Sequence, residues 1–164
     1  MERKRVMIIV SSDSGYRGER EDFSGPVIRE TMEKLGYEVV GIQILPDDLE
    51  VLKAAFCDTA DNKAAELILT TGGTGFSSRD WTPEATKAVC QREVPGIPEA
   101  MRAYSMQFTG RAMLSRAAAG IRGTTLIINL PGSPKAVREC LEYVAPYLEH
   151  GLEILTGEAQ NCAR

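Results

Sequence analysis

The chain has 164 residues, 43% of them apolar and 26% charged, with a formal net charge of −4. This length suits one domain spanning 1–164 around one core, and the proportions are those of an ordinary globular chain. The slight acidity argues against a non-specific nucleic-acid binder, which needs a basic stripe, and no apolar run approaches the ~20 residues of a membrane span.

The first apolar run, Val6–Val10, follows the basic start MERKR. It is far too short for the apolar region of a signal peptide and reads as a buried strand. A long polar loop follows, Ser11–Gly25, offering Ser12, Asp13 and Ser14 directly at the strand end. Loops of such length in a compact domain tend to be functional. Pro26–Leu35 carries apolar Val27, Ile28, Met32 and Leu35 at near-helical spacing and stops at Gly36. Glu38–Leu45 is the second strand, ending at Pro46. The pair Asp47-Asp48 then opens a helix over Asp48–Asn62. One carboxylate satisfies an N-cap, which leaves the other for a cation.

The third strand, Leu67–Thr71, runs into Gly72-Gly73-Thr74-Gly75-Phe76-Ser77-Ser78-Arg79-Asp80. Three glycines in four residues let the backbone approach a ligand and aim N–H groups at an anion. Arg79 can neutralise phosphate and Asp80 can hold Mg²⁺. The run is neither a Walker A loop nor a GxGxxG fingerprint, and a tight turn alone requires only one or two of these glycines. Trp81 is placed either to stack on a heterocycle or to pack beneath the loop. Thr82-Pro83-Glu84 reads as an N-cap, N1 proline and first-turn acid. Pro98–Phe108 looks helical, and Arg111–Ala119 reads as a second short helix.

The fourth strand, Thr125–Leu130, leads into Pro131, Gly132, Ser133, Pro134 and Lys135. Ser133 and Pro134 again signal a helix start over Ala136–Tyr147, whose N-terminus can take an anion. Lys135 opposes the macrodipole there and suits a phosphate better than it suits the helix. Pro146 is expected to break this segment into two helices. His150, the single histidine, reads as a solvated or helix-end residue. Cys57, Cys90, Cys140 and Cys162 form no CxxC pair and read as reduced thiols of a cytoplasmic protein, with no zinc or redox site. Continuous apolar strands alternating with helices predict an α/β fold: a three-layer, doubly wound, mostly parallel sheet with helices on both faces. Ligands then belong at the carboxyl ends of the strands.

The motifs TTGGTG, RDWTPEAT, PGIPEAMR, LSRAAAGIRG and LIINLPGSPKAV, with SSDS…EDFSGP before them, resemble the MogA/MoaB family of molybdenum-cofactor biosynthesis, relatives of the G domain of gephyrin. The likeness runs from about Val6 to about Gly157. It implies Mg²⁺-dependent transfer of AMP from ATP to the terminal phosphate of molybdopterin, with release of pyrophosphate, in a trimer or hexamer of the chain. On this resemblance Asp47 and Asp80 are the catalytic, metal-holding pair. Ser115 handles molybdopterin, Asn129 belongs to the active site, and Gly72, Gly73, Thr74 and Gly75 meet the nucleotide phosphates. Arg79 and Arg116 are candidates for the pterin phosphate. The chain lacks the C-terminal extension of longer MogA-type members, a length closer to MoaB-type proteins. The alternative is therefore a binding or scaffold protein of the MoaB type that holds molybdopterin or a nucleotide without reacting them.

Overall fold

A computed structural model describes residues 3–159; Cys162, expected to be a thiol, lies outside them. Six strands form one sheet: β1 (Arg5–Ser11), β2 (Glu38–Leu45), β3 (Leu67–Thr71), β4 (Arg92–Glu93), β5 (Ala119–Arg122) and β6 (Thr125–Leu130). Their order is β2-β1-β3-β6-β5-β4. The first four in that order run parallel, and β5 and β4 are antiparallel to their neighbours. The helices are α1 (Asp13–Tyr16), α2 (Ser24–Lys34), α3 (Leu49–Asp61), α4 (Thr82–Val89), α5 (Gly96–Ser105) and α6 (Pro134–Thr156), with a 3₁₀ turn at Gly110–Leu114.

The period-two alternation of β-strands decides which helix covers which face. Ile8 and Val10 of β1, Leu67 and Leu69 of β3 and Ile128 of β6 pack with Ile28 and Met32 of α2 and with Val137, Leu141 and Leu148 of α6. The intervening residues, Ile9, Ile68 and Ile127, meet Leu52 and Phe56 of α3 and Ala85 and Val89 of α4 on the other face. All five residues of β3 and all six of β6 are buried, which is why apolar residues such as Leu67, Ile68, Leu69 and Leu126, Ile127, Ile128 follow one another rather than alternate. Chain order reverses between β1 and β3, since β1 connects outward to β2 while β3 lies on its other side. A crevice outside the strand ends follows from that reversal.

Three expectations are corrected. The segment Arg111–Ala119 is not a helix: it is the 3₁₀ turn, an extended stretch and the start of β5. Gly120 sits where an added Cβ would lie 2.9 Å from the Arg92 carbonyl oxygen, in the antiparallel pairing of β5 with β4 at the sheet edge. Thr82 does not cap α4; it lies inside the helix, Trp81 takes the cap position, and the threonine hydroxyl donates to the Gly72 carbonyl instead, at 2.9 Å. Pro146 does not break the last helix, which runs unbroken for 23 residues. Proline removes the bond to the carbonyl of Glu142, but both residues are exposed, so the carbonyl that loses its partner lies on the solvent side while Val144, Ala145, Leu148 and Leu152 stay buried. Pro146→Ala is expected to raise the unfolding free energy by about 1–3 kcal/mol in a urea titration; lowered stability would show that the ring contributes more than it disrupts.

Candidate active site

The ends of β1 and β2 are fastened by carboxylates. Ser11 Oγ donates to Asp47 Oδ1 at 2.6 Å. The Asp13 amide donates to Asp47 Oδ2 and the Asp47 amide to Asp13 Oδ1, both at 2.9 Å. The neighbouring Asp48 is the N-cap of α3, accepting from the Val51 amide at 3.0 Å. The two adjacent carboxylates thus divide their work: Asp48 caps, and Asp47 joins two strand-end loops. Ser12 caps the short α1, accepting from the Gly15 amide at 3.0 Å, and Ser14 lies 3.4 Å from its hydroxyl.

The loop after β3 is built against this junction. Gly72 has φ +87°, and a Cβ there would lie 2.3 Å from the Ser11 carbonyl oxygen; Gly73 has φ +69°, and its Cβ would lie 2.4 Å from Thr82 Oγ1. Both positions exclude any side chain, on conformation and on space. Thr71 Oγ1 donates to the Pro131 carbonyl at 2.6 Å, and Ser24 Oγ to the Gly132 carbonyl at 2.8 Å, so the loop after β6 is tied to the same place. Ser133 caps α6, accepting from the Ala136 amide at 3.2 Å. Between these loops lies a cleft of about 380 Å³ whose walls include Ser11, Ser12, Arg20, Gly72, Gly132 and Ser133.

Arg79 bridges the junction. Its guanidinium donates to both oxygens of Asp13, at 3.0 and 3.1 Å, holds the Asp13 carboxyl below its ordinary value, and also feels the charges of Asp47 and Asp48. Asp80, the next residue, accepts from the Ser77 amide at 2.9 Å. The loops carrying Asp47 and Asp80 therefore converge on one rim, with neither carboxylate in a salt bridge among the described residues.

A second cleft, about 300 Å³, opens on the other side of the glycine loop, with Thr74, Gly75, Arg102, Ser115, Pro131 and Cys140 among its walls. Ser115 is thus separated from the first cleft by the loop itself. Arg102 Nη1 supports this wall from α5, donating to the carbonyls of Ser115 at 3.3 Å and Ala117 at 2.9 Å.

Several sequence candidates line neither cleft: Asp13, Ser14, Asp47, Gly73, Arg79 and Asp80 lie on the loops around them, and Asn129, Lys135 and Arg116 sit elsewhere. Asn129 is fully buried, its Oδ1 accepting from the Ala118 amide at 3.0 Å and its Nδ2 donating to Thr70 and Thr86 at 3.1 and 2.8 Å; it braces the strand ends from beneath. Lys135 is 87% exposed, 3.9 Å from Glu139, and outside both walls. Arg116 is paired with Glu84 and with backbone carbonyls, so its guanidinium is occupied. His150 is exposed on α6, as the solvated reading expected, but lies inside the helix rather than at its end. Sequence reasoning missed Arg20 and Phe23 of the first cleft and Arg102 of the second. Asp22, which accepts from the Ser24 and Gly25 amides, was the available sign that this loop folds back to the cleft, because an Asx turn ends its polar run.

The sequence profile described as "Probable molybdopterin binding domain" matches residues 7–150. A molybdopterin adenylyltransferase of Helicobacter pylori (strain J99) is 40% identical over 159 residues, covering 96% of this chain and 90% of that protein. The molybdopterin adenylyltransferase of Escherichia coli K12 is 38% identical over 146 residues, covering 88% of this chain and 75% of its own length. The crystal structure of the molybdopterin biosynthesis enzyme MoaB from Thermus thermophilus superposes with a TM-score of 0.89 at 47% identity, over 96% of this chain and 99% of that one.

The Asp13–Arg79 pair has a sign that can be read directly. Because the folded-state pKa of Asp13 is lowered from 3.8, the pair supports the junction above that pH and is lost as pH falls through the depressed value. In a carboxyl-carbon NMR titration, Arg79→Ala is expected to move the Asp13 midpoint up toward 3.8; an unmoved midpoint would show that the two side chains do not pair in solution.

Proposed function

The chain belongs to the family of probable molybdopterin-binding domains, and from that premise we propose that it is a molybdopterin adenylyltransferase acting as one domain. An oxygen of the terminal phosphate of molybdopterin attacks the α-phosphorus of ATP. The new P–O bond forms as the bond from that phosphorus to the pyrophosphate oxygen breaks, and pyrophosphate leaves with its electron pair. The attacking phosphate is already anionic, so no strong general base is needed. The barrier lies in bringing two anions together and in charge growing on the leaving group, which positioning and fixed dipoles relieve.

The observation that carries this reading is the glycine loop standing between two clefts. The polar cleft, with Gly72 and Gly132 backbone, the Arg20 guanidinium and the N-terminus of α6, suits the nucleotide phosphates. The cleft on the far side, with Ser115, suits molybdopterin. Thr74 and Gly75 lie where the two ligands would meet. Ser12, Asp13, Ser14, Gly73, Arg79, Ser133 and Lys135 complete the proposed binding set, Lys135 from a position outside both clefts.

Mg²⁺ fits the donor set. Among the described residues no group of three or more His, Cys, Asp or Glu side chains forms a dedicated metal cage, and Mg²⁺ is characteristically held by one or two carboxylates with substrate phosphates completing its shell. Asp47 and Asp80 would hold it; when bound it neutralises phosphate charge. The chain's own part is to keep those two carboxylates fixed, through Ser11 and Asp13 for Asp47 and through the Ser77 amide for Asp80. Among the described residues Cys57, Cys90 and Cys140 are free thiols, and no helix is long and apolar enough to cross a membrane; a cytoplasmic location is part of the proposal.

A homo-oligomer, trimer or hexamer, is supported by an apolar groove at the antiparallel end of the sheet, walled by Val94, Ile97, Ile121, Tyr143, Tyr147 and Leu155. Light scattering after size exclusion should give three or six times 17.9 kDa, and a monomer mass would refute that part.

With Mg-ATP and molybdopterin, the wild-type chain should release pyrophosphate. Asp80→Ala should reduce turnover by about 10²-fold or more with little change in melting temperature. Asp47→Ala should lower both, because its carboxylate also joins two loops, although the α3 cap is Asp48 and survives. Tight binding of both ligands with no pyrophosphate would instead identify a molybdopterin- or nucleotide-holding scaffold.

A further inference from the structure

The geometry points to Arg116 as a positioning residue that sets the distance between the two clefts, with Glu84 as its anchor. This rests on the adenylyl-transfer reading and assigns a job to a residue that touches neither ligand site. The Arg116 amide donates to the Thr74 carbonyl at 2.9 Å, its Nε to the Gly75 carbonyl at 2.6 Å, and its Nη2 to the Asp80 carbonyl at 2.9 Å. Its Nη1 meets the Glu84 carboxylate on the first turn of α4. One side chain therefore grips both ends of residues 75–80, while its own backbone carries Ser115 into the second cleft.

The alternative use of this guanidinium, as a ligand for the pterin phosphate, conflicts with those bonds: three of its nitrogens already donate to partners within the protein. A guanidinium presents five donors in a rigid planar fork, and that fork matches carbonyls from two separate points of one loop. The anchor is also specific. Glu84 Oε2 is enclosed and has no hydrogen-bond partner, so the carboxylate is held there through its other oxygen alone. Removing Arg116 would leave the Glu84 carboxylate without its partner beside the loop, and residues 75–80 would keep the local bonds of the Ser77–Asp80 turn and the bonds of Arg79 to Asp13 but lose their tie to the chain that carries Ser115. Asp80 and Ser115 would then drift relative to one another without either being altered.

The test uses the full chain and the single tryptophan, Trp81, which adjoins Asp80 and reports on the loop. Arg116→Ala, Arg116→Lys and Glu84→Gln are compared with wild type by Mg-ATP and molybdopterin kinetics, by acrylamide quenching of Trp81, and by thermal melting. Misplacement without lost ligand contacts predicts that Arg116→Ala cuts kcat by about tenfold to a hundredfold, leaves KM for each substrate within about threefold, and increases Trp81 quenching. Arg116→Lys should recover part of kcat and Glu84→Gln should fall between. A rise in molybdopterin KM with kcat unchanged would overturn the proposal in favour of direct phosphate contact, and unchanged kcat and quenching would overturn it outright. If Arg116→Ala fails to fold, Glu84→Gln carries the same comparison. If wild type releases no pyrophosphate, the activity reading fails, and unchanged Trp81 quenching in the variants would separately refute the grip of Arg116 on the loop.

Discussion

The site depends on one close approach of backbone to backbone. Where chain order reverses between β1 and β3, Gly72 lies so near the carbonyl of Ser11 that a single methyl group would clash at 2.3 Å. This contact brings the two strand-end loops together, and the hydrogen bonds around it are arranged to keep them there. Ser11 turns its hydroxyl to Asp47, Thr82 turns its own to Gly72, and Thr71 reaches the Pro131 carbonyl. A ridge with fixed amides is the result, and it divides one broad concavity into two clefts.

Charge is handled in the same economical way. Asp13, Asp47 and Asp48 lie close together, and their mutual repulsion is relieved by amides and by the guanidinium of Arg79. An exposed pair of this kind contributes little to global stability. Its value is local: it fixes the Asp13 carboxylate, whose neighbouring amide holds Asp47, on the rim proposed to receive phosphates. The rim thus holds a stand-in positive charge beside the groups proposed to bind metal.

The parallel half of the sheet was legible because burial on both faces leaves a mark on β1, β3 and β6, while the edge strand β2, with no buried residue, shows through its β-branched run ending at Pro46. Strands β1, β2, β3 and β6 fall on the apolar runs in the sequence, and the caps at Asp48 and Ser133 are where polar residues precede each helix. The antiparallel edge was not legible. β4 has two exposed residues, and β5 begins inside an alanine run that reads equally well as helix, so its pairing with β6 decides its conformation. Pro146 misled for a related reason: propensity speaks of an isolated helix, whereas α6 is held along one whole face by the sheet and α2. At the site, the glycine loop and its acidic partner were visible as residue types in an unusual order. The division of work between Asp47 and Asp48, the burial of Asn129 and the internal bonding of Arg116 were not, since each depends on partners far away along the chain that no local pattern names.

The account is tested most directly by a crystal structure of the chain soaked with Mg²⁺ and an ATP analogue that cannot be cleaved between its α- and β-phosphorus atoms. It predicts the triphosphate lying along residues 72–75, the cation on the carboxylates of Asp47 and Asp80, and the α-phosphorus facing the cleft that contains Ser115. Nucleotide density elsewhere, for example in the apolar groove beside Tyr143, with the glycine loop empty, would contradict it.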